Sequence, residues 1–337
     1  MKDKICVVVT SIAAPNQALR ELAKGCLQKN RQFIVIGDEP SPPDFHIEGC
    51  DFYSLQSQKN TGLKFAQSCP TRHYARKNIG YLLAIKNDTS VIVETDDDNI
   101  PLDEFWLPPK KRQTVAMLEN SGWVNVYRYF TDQNIWPRGF SLENINKQIP
   151  DFEKLRHLDI DCPIQQGLAD DNPDVDAIYR LTLPLPQKFK RNRNIALTQG
   201  CFCPFNSQNT TWWQDAFELL YLPSYCSFRM TDIWRSFIAQ KIAYINQWPI
   251  LFHHPTVIQK RNEHNLLKDF EDEIPGYLNN TQICEQLDNL PLQAGVEKIS
   301  DNLKICYEKL IKMALIGNQE LKLLEKWIDD IKQLRKT

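Results

Sequence analysis

The stretch Val91-Ile-Val-Glu-Thr-Asp-Asp-Asp-Asn-Ile-Pro101 runs an apolar, β-rich segment straight into three consecutive aspartates. Adjacent carboxylates repel each other, and a buried carboxylate without a partner is strongly disfavoured. A chain that ends a buried strand this way is expected to meet a positive group there. If the strand direction continues, side chains alternate, so Asp96 and Asp98 share one side. Two carboxylates on one side, with Asn99 beside them, suit a hard divalent cation, Mg²⁺ or Mn²⁺, that keeps waters and substrate phosphates as its other ligands. The triplet also reads as a solvated acidic turn in which Asp98 or Asn99 caps the next helix.

Upstream, the pattern alternates. Residues 5–10 are a short β-rich run, 16–29 have helical spacing, and 31–36 form a second strand closed by Gly37-Asp38. Two β-runs separated by a helix predict a βαβ unit with parallel strands. A helix over 74–86 and a strand over 90–94 extend it. The expected fold class is α/β: a Rossmann-like open, mostly parallel sheet flanked by helices. Such sheets bind ligands beyond the carboxyl ends of their strands, where the three aspartates lie. Arg76 and Lys77 stand near the start of the neighbouring helix, where amides and cationic side chains both meet phosphate. An ordinary exposed basic first turn fits the same residues.

The bulk properties narrow the classes. A 337-residue chain with 42% hydrophobic and 24% charged residues is an ordinary globular protein with a substantial core. Its net charge of -2 excludes a general attraction to nucleic acid or anionic membrane, so any anion site is local. No apolar run reaches the roughly 7–15 residues of a signal h-region or the roughly 20 of a span. No transmembrane segment is expected, and a cytoplasmic protein, at most peripheral to a membrane, is. Ten scattered cysteines read as reduced thiols, and Cys201-Phe-Cys203 lacks the usual zinc spacing.

The second half is less regular. Strands are expected over 122–130 and 195–198, and a capped helix over 231–243. Asp170 to Asp176 form a second acidic cluster, and the run Lys188-Phe-Lys-Arg-Asn-Arg193 is basic. Each is a ligand candidate or a solvated loop. His253-His254 end an apolar run, and Gln259-Lys-Arg-Asn262 follows. From 296 on, Ile299, Leu303, Cys306, Leu310 and Met313, then Leu321, Leu324, Ile328 and Ile331, trace a helical hairpin with one apolar stripe per helix. The stripes serve packing onto the main domain or self-association into a homo-oligomer.

The stretch ARKNIGYLLAIKNDTSVIVETDDDNIP resembles the nucleotide-sugar half of a GT-A glycosyltransferase, in which a basic residue, Asn and Gly on a helix precede a strand ending in Asp-x-Asp. More narrowly, the chain resembles the STELLO (DUF288) glycosyltransferase family. The resemblance is carried by VVVTSIAAPNQALRELA, VIGDEPSPP, YARKNIGYLLAI, ETDDDN, DNPDVDAIYRLT and RMTDIWRSFIAQ, from residue 5 to about 240. It implies a GT-A catalytic domain over 1–290, with a nucleotide-sugar half to about 120 and an acceptor half from 121, and leaves the hairpin of 291–337 outside. The plant members carry a membrane anchor for which this sequence shows no counterpart.

The implied activity is metal-dependent transfer of a hexose or pentose from a nucleoside-diphosphate sugar, UDP favoured, to a hydroxyl of a glycan or other acceptor. By matching motif, Thr10, Ser11 and Ile12 would lie over the base and Asp38 would accept hydrogen bonds from it. Arg76, Lys77 and Asn78 would approach ribose and diphosphate, and Asp97 the ribose hydroxyls. Asp96 and Asp98 would hold Mn²⁺ or Mg²⁺, joined by His253 or His254. Asp232 would be the general base of an inverting enzyme. The alternatives are a sugar-nucleotide mutase of the reversibly glycosylated polypeptide type and a non-catalytic nucleotide-sugar-binding scaffold.

Overall fold

The computed structural model describes residues 3–262 and 265–335. Its strands are β1 Ile5–Thr10, β2 Gln32–Ile36, β3 Asp51–Tyr53, β4 Val91–Thr95, β5 Asn99–Pro101, β6 Arg112–Leu118, β7 Gly122–Trp123, β8 Arg156–Asp161, β9 Ile164–Asp170, β10 Asn194–Leu197, β11 Cys201–Phe202, β12 Asn209–Trp213 and β13 Ile250–Gln259. The helices are α1 Gln17–Lys29, α2 Leu55–Lys59, α3 Lys77–Lys86, α4 Ala177–Thr182, α5 Thr231–Ile245, α6 Leu266–Asp288, α7 Ile299–Lys312 and α8 Gln319–Leu334.

The main sheet runs β3-β2-β1-β4-β12-β9-β13-β10-β6-β8, with β5 paired to β13. Its first four strands are parallel. Val7, Val8, Ile34, Val35, Val91 and Ile92 are buried on both faces, as strands covered by helices require. Beyond β4 the sheet is mixed, because β12 enters antiparallel to both β4 and β9. That change of direction opens a crevice at the carboxyl end of β4. Residues 122–130 do not form the expected strand: a two-residue pairing of β7 with β11 gives way to a 3₁₀ turn over Val126–Tyr129. Its aromatic, β-prone composition serves core packing instead, for Tyr127 and Tyr129 are buried.

Local chemistry sets the helices. Asn16 caps α1 by accepting from the Leu19 amide at 2.9 Å. Gly80 lets α3 lie close on β1, since a Cβ there would come within 2.5 Å of Val8 Cγ1. The C-terminal hairpin is part of the same core. Leu303, Cys306, Leu310, Leu324, Ile328 and Ile331 are buried in one cluster with Val8, Ile79 and Ile92. Glu320 accepts from the Ser224 and Tyr225 amides and the Tyr221 hydroxyl, and Asp330 from the Lys64 and Phe65 amides. Both apolar stripes are therefore spent inside the chain. The expected self-association through them loses its surface.

Helix α6 was not legible in the sequence. The helix runs through Pro275 and Gly276. Gly276 is needed there, because a side chain would collide with Met230.

Candidate active site

A cavity of about 240 Å³ opens at the carboxyl ends of β1 and β4. Thr10 and Asp96 to Asp98 line its sheet side, while Gln259, Arg261 and Asn262 line it just past β13. The opposite wall carries Tyr74, Arg138, Asp174, Ser207, Gln208, Phe228, Arg229 and Asp232.

The aspartates have distinct environments. Asp96 accepts from the Lys77 ammonium at 2.8 Å and remains 37% exposed, whereas Lys77 is fully buried and also donates to the carbonyls of Thr95 and Ser207. Desolvation raises the Asp96 carboxyl to about 7; Lys77 opposes the rise and the Asp98 and Asp97 charges add to it. Asp97 accepts from the Ser11 hydroxyl at 2.5 Å, and its carbonyl accepts from the Asn16 side chain. Asp98 is nearly buried and accepts from the Gln259 amide at 3.2 and 3.3 Å and from the Asn262 backbone at 3.4 Å. Burial raises its carboxyl as well. Among the described residues, the one cation bonded to any of these three carboxylates is Lys77, on Asp96. A divalent cation would balance the remainder.

The donor set fits such a cation in a particular way. Among the described residues no group of three His, Cys, Asp or Glu converges as a complete cage. Asp96 and Asp98 would supply two protein ligands and leave the rest to phosphate and water, the usual manner of Mg²⁺. His253 and His254 do not complete it. They line a different cleft, with Arg31, Glu104 and Gln165. Across a bulge in β13, His253 pairs with Gly167 and Ile258 with Asp170, so His253 lies about four regular steps back from Gln259, roughly 13 Å at about 3.3 Å per residue. Its Nδ1 bonds the His254 carbonyl at 2.9 Å, and burial holds its pKa down at about 4.

Other expected contacts also fall elsewhere. Arg76 is buried, with its guanidinium on Gln58 Oε1 and the Cys69 and Pro70 carbonyls. Asn78 exchanges two hydrogen bonds with the Leu222 backbone. Both anchor neighbouring segments and do not reach the cavity. The basic run is likewise tied down: Lys190 to Asp132, Arg191 to Asp170, and Arg193 to the Tyr129 carbonyl. Trp234 is buried and donates to Asn280. Ile12 is exposed beside Ser11. Asp38 accepts from the Glu39 and His73 amides and is joined to the Ser11 loop through Ser41, whose hydroxyl donates to the Ser11 carbonyl.

Asp232 does reach the cavity, but as half of an ion pair. Arg138 binds both its oxygens and both oxygens of Asp174, with separations of 2.8 to 3.1 Å. The Ser207 amide and the Tyr74 hydroxyl complete its shell. Arg138 offsets the desolvation and holds the Asp232 carboxyl well below the usual range. A carboxylate held there is a poor proton acceptor at neutral pH, so the structure speaks against the general-base expectation. Arg138 lies in an irregular, proline-bearing segment with no periodic signal, and Ser207 and Phe228 carry no motif; Tyr74 opens the stretch YARKNIGYLLAI, whose pattern does not mark it for the cavity.

Comparison with known proteins fits this geometry. The STELLO glycosyltransferase family model matches residues 229–337. Two Arabidopsis thaliana proteins, the probable glycosyltransferases STELLO2 and STELLO1, are each 28% identical over 270 and 255 residues, or 74% and 70% of this chain. The chain is similar to the STELLO glycosyltransferases over most of its length. It spans 35% and 33% of the length of those two proteins. The family match includes the helical hairpin, which lies outside the resemblance over residues 5 to about 240. Among solved structures, the chain is similar to a mycobacterial protein at 12% identity and a TM-score of 0.42, covering 83% of this chain and 75% of that one. It is also similar to the glucosyl-3-phosphoglycerate synthase of M. tuberculosis at 12% identity and a TM-score of 0.41, with 83% and 81% covered.

Proposed function

We propose that this chain is a metal-dependent glycosyltransferase that moves a sugar from a nucleoside-diphosphate donor, UDP favoured, to an acceptor hydroxyl. The observation that carries the reading is the charge imbalance at the end of β4: three cavity-lining carboxylates against one buried lysine. The kinship with probable glycosyltransferases points the same way.

Asp96 and Asp98 would hold the divalent cation. Lys77 fixes the rotamer of Asp96, and Gln259 with the Asn262 amide fixes that of Asp98. When bound, the cation supplies charge stabilisation to the departing diphosphate. The Ser11 hydroxyl orients Asp97, whose other oxygen is left to accept from the ribose hydroxyls. Thr10, Ser11 and Ile12, with Asp38 behind them, form the edge on which the base would rest. Asp232, its two oxygens already taken by Arg138, Tyr74 and the Ser207 amide, would hold Arg138 and Tyr74 in place on the cavity wall.

The test is nucleotide release from a panel of UDP-, GDP-, ADP- and CDP-sugars with Mn²⁺ and with chelator. Turnover of one donor class, abolished by chelation, supports the proposal. Metal-independent turnover, or binding without turnover, contradicts it, and interconversion of the donor sugar without acceptor would favour a mutase.

A further inference from the structure

Two features of the sequence take no part in the aspartate cavity: the basic run 188–193 and His254. The fold brings them together. Strand β10 lies between β13 and β6, with β8 outside β6. Asn194, at the head of β10, pairs with His253, and His157 on β8 pairs with Ala116 on β6. At this end of the sheet a separate cavity of about 280 Å³ is lined by Arg191, Arg193, Asn194, Thr114, His157 and His254.

Among the described residues, every polar side chain on this lining can donate a hydrogen bond, and none is a carboxylate. The cations of the run differ in their partners. Lys190 is held by Asp132 at 2.8 Å, and Arg191 by Asp170 at 2.8 Å with Glu104 at 3.5 Å. Arg193 bonds no carboxylate among the described residues. Its Nη1 donates to the Tyr129 carbonyl at 2.8 Å, and its guanidinium lies 4.5 Å from the centre of the Phe152 ring. Stacking fixes the fork and leaves it without an anion. The exposed His157 ring stands edge-on to the same phenyl group at 5.8 Å. Donors thus come from four strands, β6, β8, β10 and β13, around one unanswered guanidinium. A tetrahedral oxyanion, which accepts several hydrogen bonds at once and meets arginine through a bidentate fork, matches that set.

We infer that this cavity is a second ligand site, which takes the phosphate or sulfate group of an ester and has Arg193 as its anchor. It shares no lining residue with the aspartate cavity, so it stands or falls apart from the transferase reading. The test uses the full chain and NMR signals of its histidine rings. Six histidines give few enough signals to follow singly, assigned through His157→Asn and His254→Gln. Inorganic phosphate and sulfate are titrated at neutral pH against chloride of equal ionic strength.

The His157 and His254 signals are expected to move with one shared Kd while that of His46, outside this lining, stays in place. Arg193→Gln should weaken the Kd about 10-fold. Thermal unfolding checks that the variant is folded; if it is not, His157→Asn carries the same test through the His254 signal, with a loss of about 3-fold. Movement of the same signals by glycerol phosphate assigns a soluble ester. Sedimentation with phosphatidic acid vesicles but not with phosphatidylcholine vesicles, lost in Arg193→Gln, assigns a lipid headgroup instead. No movement with phosphate or sulfate, equal movement with chloride, or a Kd unchanged in the folded variants overturns the inference.

Discussion

Glu94 and Asp96 are two residues apart on one strand end, and the fold treats them oppositely. Glu94 is fully buried and fully answered. Arg235 meets both its oxygens at 2.9 Å, Trp212 donates at 2.8 Å, and the Tyr81 hydroxyl donates too. Asp96 is part-exposed, has Lys77 as its bonded cation beside the two neighbouring carboxylates, and has its pKa raised to about 7. A buried charge with a complete partner shell is part of the architecture. A cluster whose charge exceeds its partners is set for something that arrives later.

If that contrast is right, the largest effect should come from the unbalanced member. Asp98→Asn should cut metal-dependent turnover by on the order of 100-fold or more, in the range found when a group stabilising transition-state charge is lost, while leaving the melting temperature nearly unchanged. Kinetics with matched thermal unfolding would show it. The balanced pair should behave in the reverse way. Arg235→Met strands Glu94 in the core and should cost about 3–5 kcal/mol in denaturant unfolding, whatever it does to activity. Arg138→Met should fall in the same range, and its deficit should shrink in acid. The carboxyls of Asp174 and Asp232 are held low by Arg138, so their contribution is present above the ordinary carboxylate pKa and vanishes as pH falls through their folded values.

A sharper version removes the charge of Asp96. Asp96→Asn keeps an oxygen for Lys77 and lowers the repulsion with Asp97 and Asp98, so its stability change should stay within about 1 kcal/mol. A loss as large as that of Arg235→Met would erase the contrast. The smallest effect concerns His253, whose buried ring is held at a pKa of about 4 against an ordinary 6.5. Its neutral form is the folded one, so its stabilisation is full above pH 6.5 and falls away toward pH 4. A His253→Gln variant should lose less stability than the wild type across that window.

The parts legible in the sequence were those governed by local periodicity. β1, α1, β2, α3, β4 and α5 follow from apolar spacing and caps, and so do the paired stripes of α7 and α8. Thr10, Asp96 and Asp98 come together at one cavity because strand ends in an α/β sheet converge, and Ser11 reaches it through Asp97. Arg76 and Asn78 were misplaced because sequence shows a basic, amide-bearing first turn but not which way it faces. They sit on the sides of the helix start that meet Gln58 and Leu222. Arg138 was invisible for a complementary reason: only the tertiary fold brings an irregular segment around residue 138 against Asp174 and Asp232. The helix through Pro275 shows tertiary packing overriding a local stop signal.

The central claim, that the aspartate cluster at the end of β4 is completed by a divalent cation and a nucleotide, is tested most directly by thermal unfolding. Wild type and Asp98→Asn would be melted with UDP, GDP, CDP or ADP, each with and without Mn²⁺. A ligand that binds only the folded chain stabilises it by RT ln(1 + [L]/Kd). The account predicts an upward shift that requires both Mn²⁺ and one nucleotide and is absent in Asp98→Asn. A shift that survives the substitution or ignores Mn²⁺, or no shift with any nucleotide, would contradict it.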